Sequence, residues 1–266
     1  MRRRFALSLI LVLACGGCLA DSVDVGAQAA LPSTKTPCVI LLHGLGRTPL
    51  SMSTMAQRLG SDGYRVTNLA YPSRDATIEV LTRDYLAPAI ERCHQADCQV
   101  LHMVSHSLGG ILIRQYLQTH TLPAGSRIVM LSPPNQGSEI ADYLKTYSVY
   151  HWVTGPAGQQ LGTQSDSVPR QLAAVRAPIG VITGSESWNP FFSYLIPGPD
   201  DGKVAVAHAR LEEMADFLVV PASHTFIMDD DEVIAQTAHF LRYGHFDHGK
   251  GDHTDDSPPG GPSDNP

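Results

Sequence analysis

From Cys38 to Tyr243, short continuous apolar runs alternate with segments whose apolar residues recur at helical spacing. That alternation limits the fold more than any other feature of the chain. CVILLHG, YRVTNLAYPS, QVLHMVS, SRIVMLSPP, APIGVITG and ADFLVVPAS read as strands. Their Val, Ile and Leu runs lack the strict alternation of a half-solvated sheet, as expected of strands covered on both faces. Between them SMSTMAQRLGSDG, TIEVLTRDYLAPAIERC and LGGILIRQYLQTH read as helices, with VIAQTAHFLRYG as the last. In the first, Met52, Met55, Ala56 and Leu59 share one face, and Gly60 and Gly63 end it. Pro88 has no N–H to give, so it predicts a kink or break at about Ala87. Strand, helix, strand in succession means parallel strands joined by right-handed crossovers. The expected fold class is therefore α/β, an open, doubly wound, mostly parallel sheet with a small cap or lid region. A chain of 266 residues, 43% hydrophobic, fits one main domain, here residues 33–244. The tail 245–266, rich in Pro, Gly and Asp, cannot bury apolar area and is expected to be disordered.

Residues 1–20 differ in kind. MRRRFALSLILVLACGGCLAD carries three arginines, an apolar run from Phe5 to Ala14, then small residues, which is the layout of a bacterial-type export signal. The run is shorter than the roughly 20 residues of a spanning helix. Val12-Leu13-Ala14-Cys15 resembles a lipobox, in which the Cys becomes a lipidated first residue; Cys18 is a poorer candidate, and an ordinary cut after Ala20 is the alternative. Export predicts a periplasmic, membrane-anchored or secreted protein. A formal charge of −7, with no basic patch after the first four residues, gives no electrostatic reason to expect nucleic acid as a partner.

In an oxidising compartment Cys93 and Cys98, which flank a four-residue stretch, are expected to form a disulfide. Cys38 is then a buried thiol. A metal site at Cys93, His94 and Cys98 lacks a second ligand pair.

In an open α/β sheet the ligand crevice lies beyond the carboxyl ends of the strands. The third strand ends in Ser105-His106-Ser107-Leu108-Gly109 and runs directly into a helix. This is the context of a nucleophile elbow, in which a sharp turn lifts a serine Oγ toward the crevice. Ser105 stands where glycine is usual, yet is small enough for the turn. The plainer reading is a serine that only caps the helix. The first strand ends in His43-Gly44-Leu45-Gly46, a loop placed to supply the Leu45 amide as one oxyanion donor, with Leu108 as the other. His43 belongs to that loop as a structural hydrogen-bonding group.

A serine hydroxyl needs a base and an orienting acid. Of the twelve histidines, His224 alone follows a late strand and precedes the final helix. His102 lies inside a strand, His106 points away from the nucleophile, His208 precedes the last strand and His239 lies on the last helix. For the acid, Asp201 before Gly202 is the choice and Asp200 the close rival, because Asp-Gly fits a turn that aims a carboxylate sideways. Asp216, at the wrong end of the last strand, reads as a solvated surface charge.

Two irregular stretches, 138–176 and 185–199, lie near the strand ends and read as cap-like insertions. They bring Tyr143, Tyr147, Tyr150, Trp152, Trp188, Phe191, Phe192 and Tyr194. These aromatics would line an acyl pocket, face a membrane or pack as an ordinary cap. Asn135 and Ser138, in PPNQGSE, are read as loop-holding residues without a catalytic role.

HGLGRT, VSHSLGG, LSPPNQGSE, DDGKV and SHTFIM together resemble exported bacterial lipases and esterases of the α/β-hydrolase superfamily, of the inositol-deacylase-like branch. The resemblance spans about residues 37–244. It implies a catalytic set of Ser107, Asp201 and His224, an oxyanion hole at Leu45 and Leu108, an acyl-enzyme intermediate and hydrolysis of carboxylic esters, with an ester or lipid-like small molecule as substrate and neither cofactor nor metal. Thioesterase or acyltransferase chemistry on the same residues is one alternative. A catalytically silent envelope binding protein on the same scaffold is the other.

Overall fold

The computed structural model describes residues 36–249. Six strands, β1 (Cys38–Leu42), β2 (Arg65–Leu69), β3 (Leu101–His106), β4 (Ile128–Leu131), β5 (Ile179–Gly184) and β6 (Asp216–Val220), form one sheet in the order β2-β1-β3-β4-β5-β6. Every neighbouring pair is parallel. The chain moves outward from β1 to β2, returns to place β3 on the other side of β1, and then proceeds outward again. The turnaround between β1 and β3 opens a crevice at their carboxyl ends. Cys38 faces Leu101 and Leu42 faces Ser105 in register, so the loop after Leu42 and the turn after His106 leave the sheet side by side.

Among the described residues ten α-helices accompany this sheet. They are α1 (Ser53–Ser61), α2 (Ile78–Leu81), α3 (Ala87–Gln95), α4 (Leu108–Leu117), α5 (Glu139–Leu144), α6 (Ser148–Gln159), α7 (Val168–Gln171), α8 (Pro190–Leu195), α9 (Val206–Ala209) and α10 (Asp231–Tyr243). The two-residue period of β1 divides its side chains between two cores. Cys38, Ile40 and Leu42 pack with α2, α3 and α4, while Val39 and Leu41 pack with α1 and α10. Each fully buried aliphatic side chain contributes about 1.5–3 kcal/mol relative to exposure. With both faces covered, the continuous apolar runs of β1, β3 and β4 are what the architecture requires.

Pro88 does not break its helix. A π-helical turn at Thr82–Leu86 follows α2 and leads into α3, which takes Pro88 in its first turn. There a missing N–H costs least, and the wider turn accommodates the ring. The stretches expected to be irregular contain α5, α6, α7 and α8, all but α6 only four to six residues long.

The cysteine pairing also differs. Cys38 and Cys98 form the disulfide, with Cα atoms 5.7 Å apart, and Cys93 is a buried free thiol. The reason is the sheet: Cys38 N donates to Val100 O as β1 pairs with β3, which brings the head of β1 against the turn before β3. Cys93 sits on the core face of α3, where burial pushes its thiol pKa up. Cys98, being in the disulfide, is not available as a metal ligand.

Order extends beyond the expected boundary at His245. Phe246 is fully buried against Phe240, and Asp247 exchanges hydrogen bonds with Gln236. Asp216 is therefore no solvated charge: it accepts from Phe246 N at 2.7 Å and meets His248 Nε2 at 2.9 Å. Residues 1–20, with both lipidation candidates, and the tail beyond Gly249 lie outside the described residues.

Candidate active site

Ser107 sits between β3 and α4 with φ 52° and ψ −120°, a conformation rare for any residue with a side chain. Two contacts impose it. Ser107 N donates to Leu131 O on β4, and α4 presses against β1 so closely that a Cβ on Gly109 would stand 2.8 Å from Leu42 Cβ. Ser105 is fully buried in the same turn, its hydroxyl without a partner. Although Ser107 occupies the N-cap position of α4, its side chain caps nothing. Its Oγ instead lies 3.0 Å from His224 Nε2.

The loop after β6 presents His224, and the loop after β5 presents Asp201; both side chains are almost wholly buried. His224 Nδ1 lies 2.8 Å from Asp201 Oδ2, and His224 N donates to Asp201 O at 2.9 Å, so backbone and side chain are joined to the same residue. Asp201 Oδ1 accepts from the amides of Lys203 and Val204 at 3.0 and 2.8 Å. Burial by itself raises the Asp201 pKa, but His224, the Ser132 hydroxyl and the Val204 amide outweigh it and hold the carboxyl below its ordinary range. Asp200 is used differently, accepting from Ser193 Oγ and Gly202 N. The structure thus joins Ser107, His224 and Asp201 and leaves Asp200 as a turn residue.

Leu45 lines the same cavity as Ser107, and Leu108 opens α4. Among the described residues neither amide donates to a protein acceptor. The loop that carries Leu45 is held by residues for which the sequence offered no motif. Tyr71 OH donates to His43 O, the Tyr71 ring stacks on His43 at 4.1 Å between centroids, and Ser73 Oγ accepts from Gly46 N. Gly44 is needed here, since a Cβ would stand 2.7 Å from His106 Nδ1. Ser132, at φ 46° beyond β4, is a further residue that only the fold reveals, through its bond to Asp201. Asn135 donates to Ala209 O and receives Arg114 at its carbonyl, and Ser138 Oγ donates to Lys203 O.

His106 does not point away from the site. Its Nε2 bonds to the His224 carbonyl at 2.9 Å and its ring centroid lies 4.9 Å from that of His224. Complete burial, reinforced by the nearby positive charges, holds its pKa well below the ordinary value, so it is a neutral wedge under the His224 loop. His102 accepts from Arg127 N, and His208 lies 3.0 Å from Glu139.

A cavity of about 310 Å³ opens over Ser107. Its apolar wall is chiefly aliphatic: Ile140, Leu144, Val153, Leu161 and Val204, with Phe192 from α8. Of the other insertion aromatics, Trp152, Trp188 and Tyr194 are more than four-fifths exposed. Among the described residues no group of His, Cys, Asp and Glu side chains is placed to hold a metal ion, and no helix is long and apolar enough to cross a membrane.

This combination of parallel sheet, serine turn and crevice defines an α/β hydrolase. Residues 39–246 match the model of the alpha/beta hydrolase family, and the chain belongs to that family. No curated protein matches it by sequence. Among solved structures, the mature form of a Bacillus licheniformis lipase superposes with a TM-score of 0.64 at 18% identity, covering 80% of this chain and 94% of that one. Phospholipase PlaB of Legionella pneumophila gives 0.60 at 20% identity, over 77% of this chain and 56% of that one. A monoacylglycerol lipase of Paleococcus ferrophilus gives 0.52 at 17% identity, over 79% and 95%. At these identities the likenesses support the fold.

Proposed function

We propose that the protein is a serine hydrolase that cleaves carboxylic esters with an apolar acyl part. One observation carries the reading: the His224 ring is bonded on one side to Ser107 Oγ and on the other to Asp201, at the floor of an aliphatic cavity. In the proposed mechanism His224 Nε2 takes the Ser107 proton as Oγ attacks the carbonyl, and Asp201 fixes the imidazole tautomer. The Leu45 and Leu108 amides receive the oxyanion. His224 then protonates the departing alcohol, and water activated by the same base releases the acid from the acyl-enzyme.

The cavity lies at the lower end of the ~300–1,000 Å³ usual for ligand sites, which favours short and medium acyl chains. Release of p-nitrophenol from the acetate, butyrate, octanoate and palmitate esters tests this. Turnover of the shorter esters that is lost in Ser107→Ala is expected; no turnover of any of them by the folded parent counts against the reading.

The same proposal places the protein outside the cytoplasm, on the strength of the arginine-led apolar N-terminus, and anchors it by lipid at Cys15 if the lipobox is used. The Cys38–Cys98 disulfide supports an oxidising compartment. The motif set HGLGRT, VSHSLGG and DDGKV favours the inositol-deacylase-like branch of the family. Loss of a metabolic palmitate label in Cys15→Ala supports the anchor, and an unlabelled parent refutes it.

A further inference from the structure

The surroundings of Ser107 are strongly cationic for a chain of formal charge −7. Arg47, Arg74 and Lys203 line the cavity, and Lys203 also lines a second cleft on the far side of His224, together with Trp188, Phe192 and Phe226. Asp201 is the sole carboxylate on either lining, and both its oxygens are occupied, by His224 and by two amides. Among the described residues none of the three cations forms an ion pair with a carboxylate.

Arg47 and Arg74 are held through their guanidinium groups, Arg74 by a bond to Val153 O at 3.3 Å, and Lys203 through its backbone. Arg47 follows the Leu45 loop, and its Nη2 donates to Thr225 O at 3.2 Å, beside His224. Lys203 is anchored through its backbone on both sides, its amide donating to Asp201 Oδ1 and its carbonyl accepting from Ser138 Oγ at 2.7 Å. Lys203 is exposed and lines both clefts. Crowding by the surrounding protein and then the Arg47 guanidinium lower its pKa, and Asp201 only partly opposes them. The site therefore keeps like charges together with Asp201, already bonded to His224 and two amides, as the sole carboxylate on the linings, an arrangement that a bound anion relieves.

The position of the cations selects the part of the substrate that they hold. His224 delivers a proton to the leaving oxygen, so the alcohol part departs past His224, where Arg47 and Lys203 stand. For the acyl chain the same cavity offers the aliphatic side chains of Ile140, Leu144 and Leu161. We infer that the substrate is an acyl ester whose alcohol part carries an oxyanion, a phosphate or a carboxylate, bound by Arg47 and Lys203. The inference rests on the ester-hydrolase reading above and deepens it. Water and the ester give a carboxylic acid and the anionic alcohol, with the negative group untouched and no other reactant required. A guanidinium and an ammonium together suit such a group, the first as a planar fork and the second as a point charge.

Hexanoyl glycerol, hexanoyl glycerol phosphate and O-hexanoyl glycerate share an acyl chain and differ in charge. With the full chain at low ionic strength, kcat/KM for an anionic ester is expected to exceed that for the neutral one by about tenfold or more, and added salt to erode the difference. The larger gain identifies phosphate or carboxylate as the recognised group. Arg47→Gln and Lys203→Gln are each expected to lower the anionic-to-neutral ratio by about tenfold, through KM more than kcat, whereas Lys203→Arg retains most of it. In the parent alone, glycerol phosphate is expected to inhibit hexanoyl glycerol hydrolysis competitively, and glycerol at equal concentration is not; this readout stands even where a variant fails to fold. Equal kcat/KM on all three esters, or a ratio that survives in a folded double variant, overturns the charge inference and leaves the hydrolase reading intact. If the parent cleaves none of the three and takes no fluorophosphonate label, both fall.

Discussion

Ser107 Oγ lies 3.0 Å from His224 Nε2 because the Ser107 backbone is held at φ 52° and ψ −120°, where a Cβ is crowded. Strain of this kind costs about 1–3 kcal/mol. Ser107→Gly relieves it and Ser107→Ala does not. Both variants are expected to be inactive, but the glycine variant should be the more stable by about 1 kcal/mol after glycine's own entropic cost. Urea denaturation of the two decides it, and equal midpoints would show the turn to be unstrained.

Asp201 and Asp200 are neighbours with separate tasks. Asp201→Asn removes the carboxylate that fixes the His224 tautomer and is expected to lower kcat by about 10³- to 10⁴-fold with little change in KM. Asp200→Asn loses acceptor strength toward Ser193 and Gly202, so it is expected to cost about 1 kcal/mol of stability and to retain most activity. Steady-state kinetics on a butyrate ester separates them; similar losses in both would reassign the acid.

The Cys38–Cys98 bond closes a loop of 60 residues in sequence separation, across the central strand pair. Cys98→Ser is expected to lower stability by about 2–4 kcal/mol. Peptide mapping should recover the 38–98 cross-link, with Cys93 alkylated only after unfolding. A 93–98 cross-link would contradict the structure.

Acid is expected to weaken the fold before it touches Asp201. His102 accepts a hydrogen bond from Arg127 N through Nδ1, and burial, aided by Arg127, lowers its pKa to about 4. His106 is held well below its ordinary value, and His43 is lowered in the same direction, both first by burial. Each takes a proton in the unfolded chain near pH 6.5 but not in the native state, so stability is complete above that pH and falls as pH decreases. For His102 the loss runs from about pH 6.5 to about pH 4 and amounts to about 3 kcal/mol. Thermal melts at pH 7 and pH 5 measure it. His102→Asn, which keeps an acceptor in the side chain, should flatten the dependence, and an unchanged slope would assign it elsewhere.

Much of this arrangement is legible in the sequence, for identifiable reasons. The strands show because a sheet covered on both faces demands unbroken apolar runs, and Ser107 shows because a strand must stop abruptly to expose it. The disulfide partner of Cys98 does not show, because it depends on β1 lying beside β3 in space and not on the short Cys93–Cys98 spacing. Pro88 reads as a breaker because a π turn leaves no mark in composition. Tyr71, Ser73 and Ser132 support the site from loops with no motif of their own. The short helices α5, α7 and α8 take their stability from tertiary packing rather than from local propensity.

The central claim is that Ser107 is an activated nucleophile, and covalent labelling of the purified chain by a fluorophosphonate, with the adduct located by peptide mass spectrometry, tests it most directly. The account predicts modification at Ser107, abolished in His224→Ala and strongly slowed in Asp201→Asn. A folded parent that takes no label, or takes it at another serine, would contradict it.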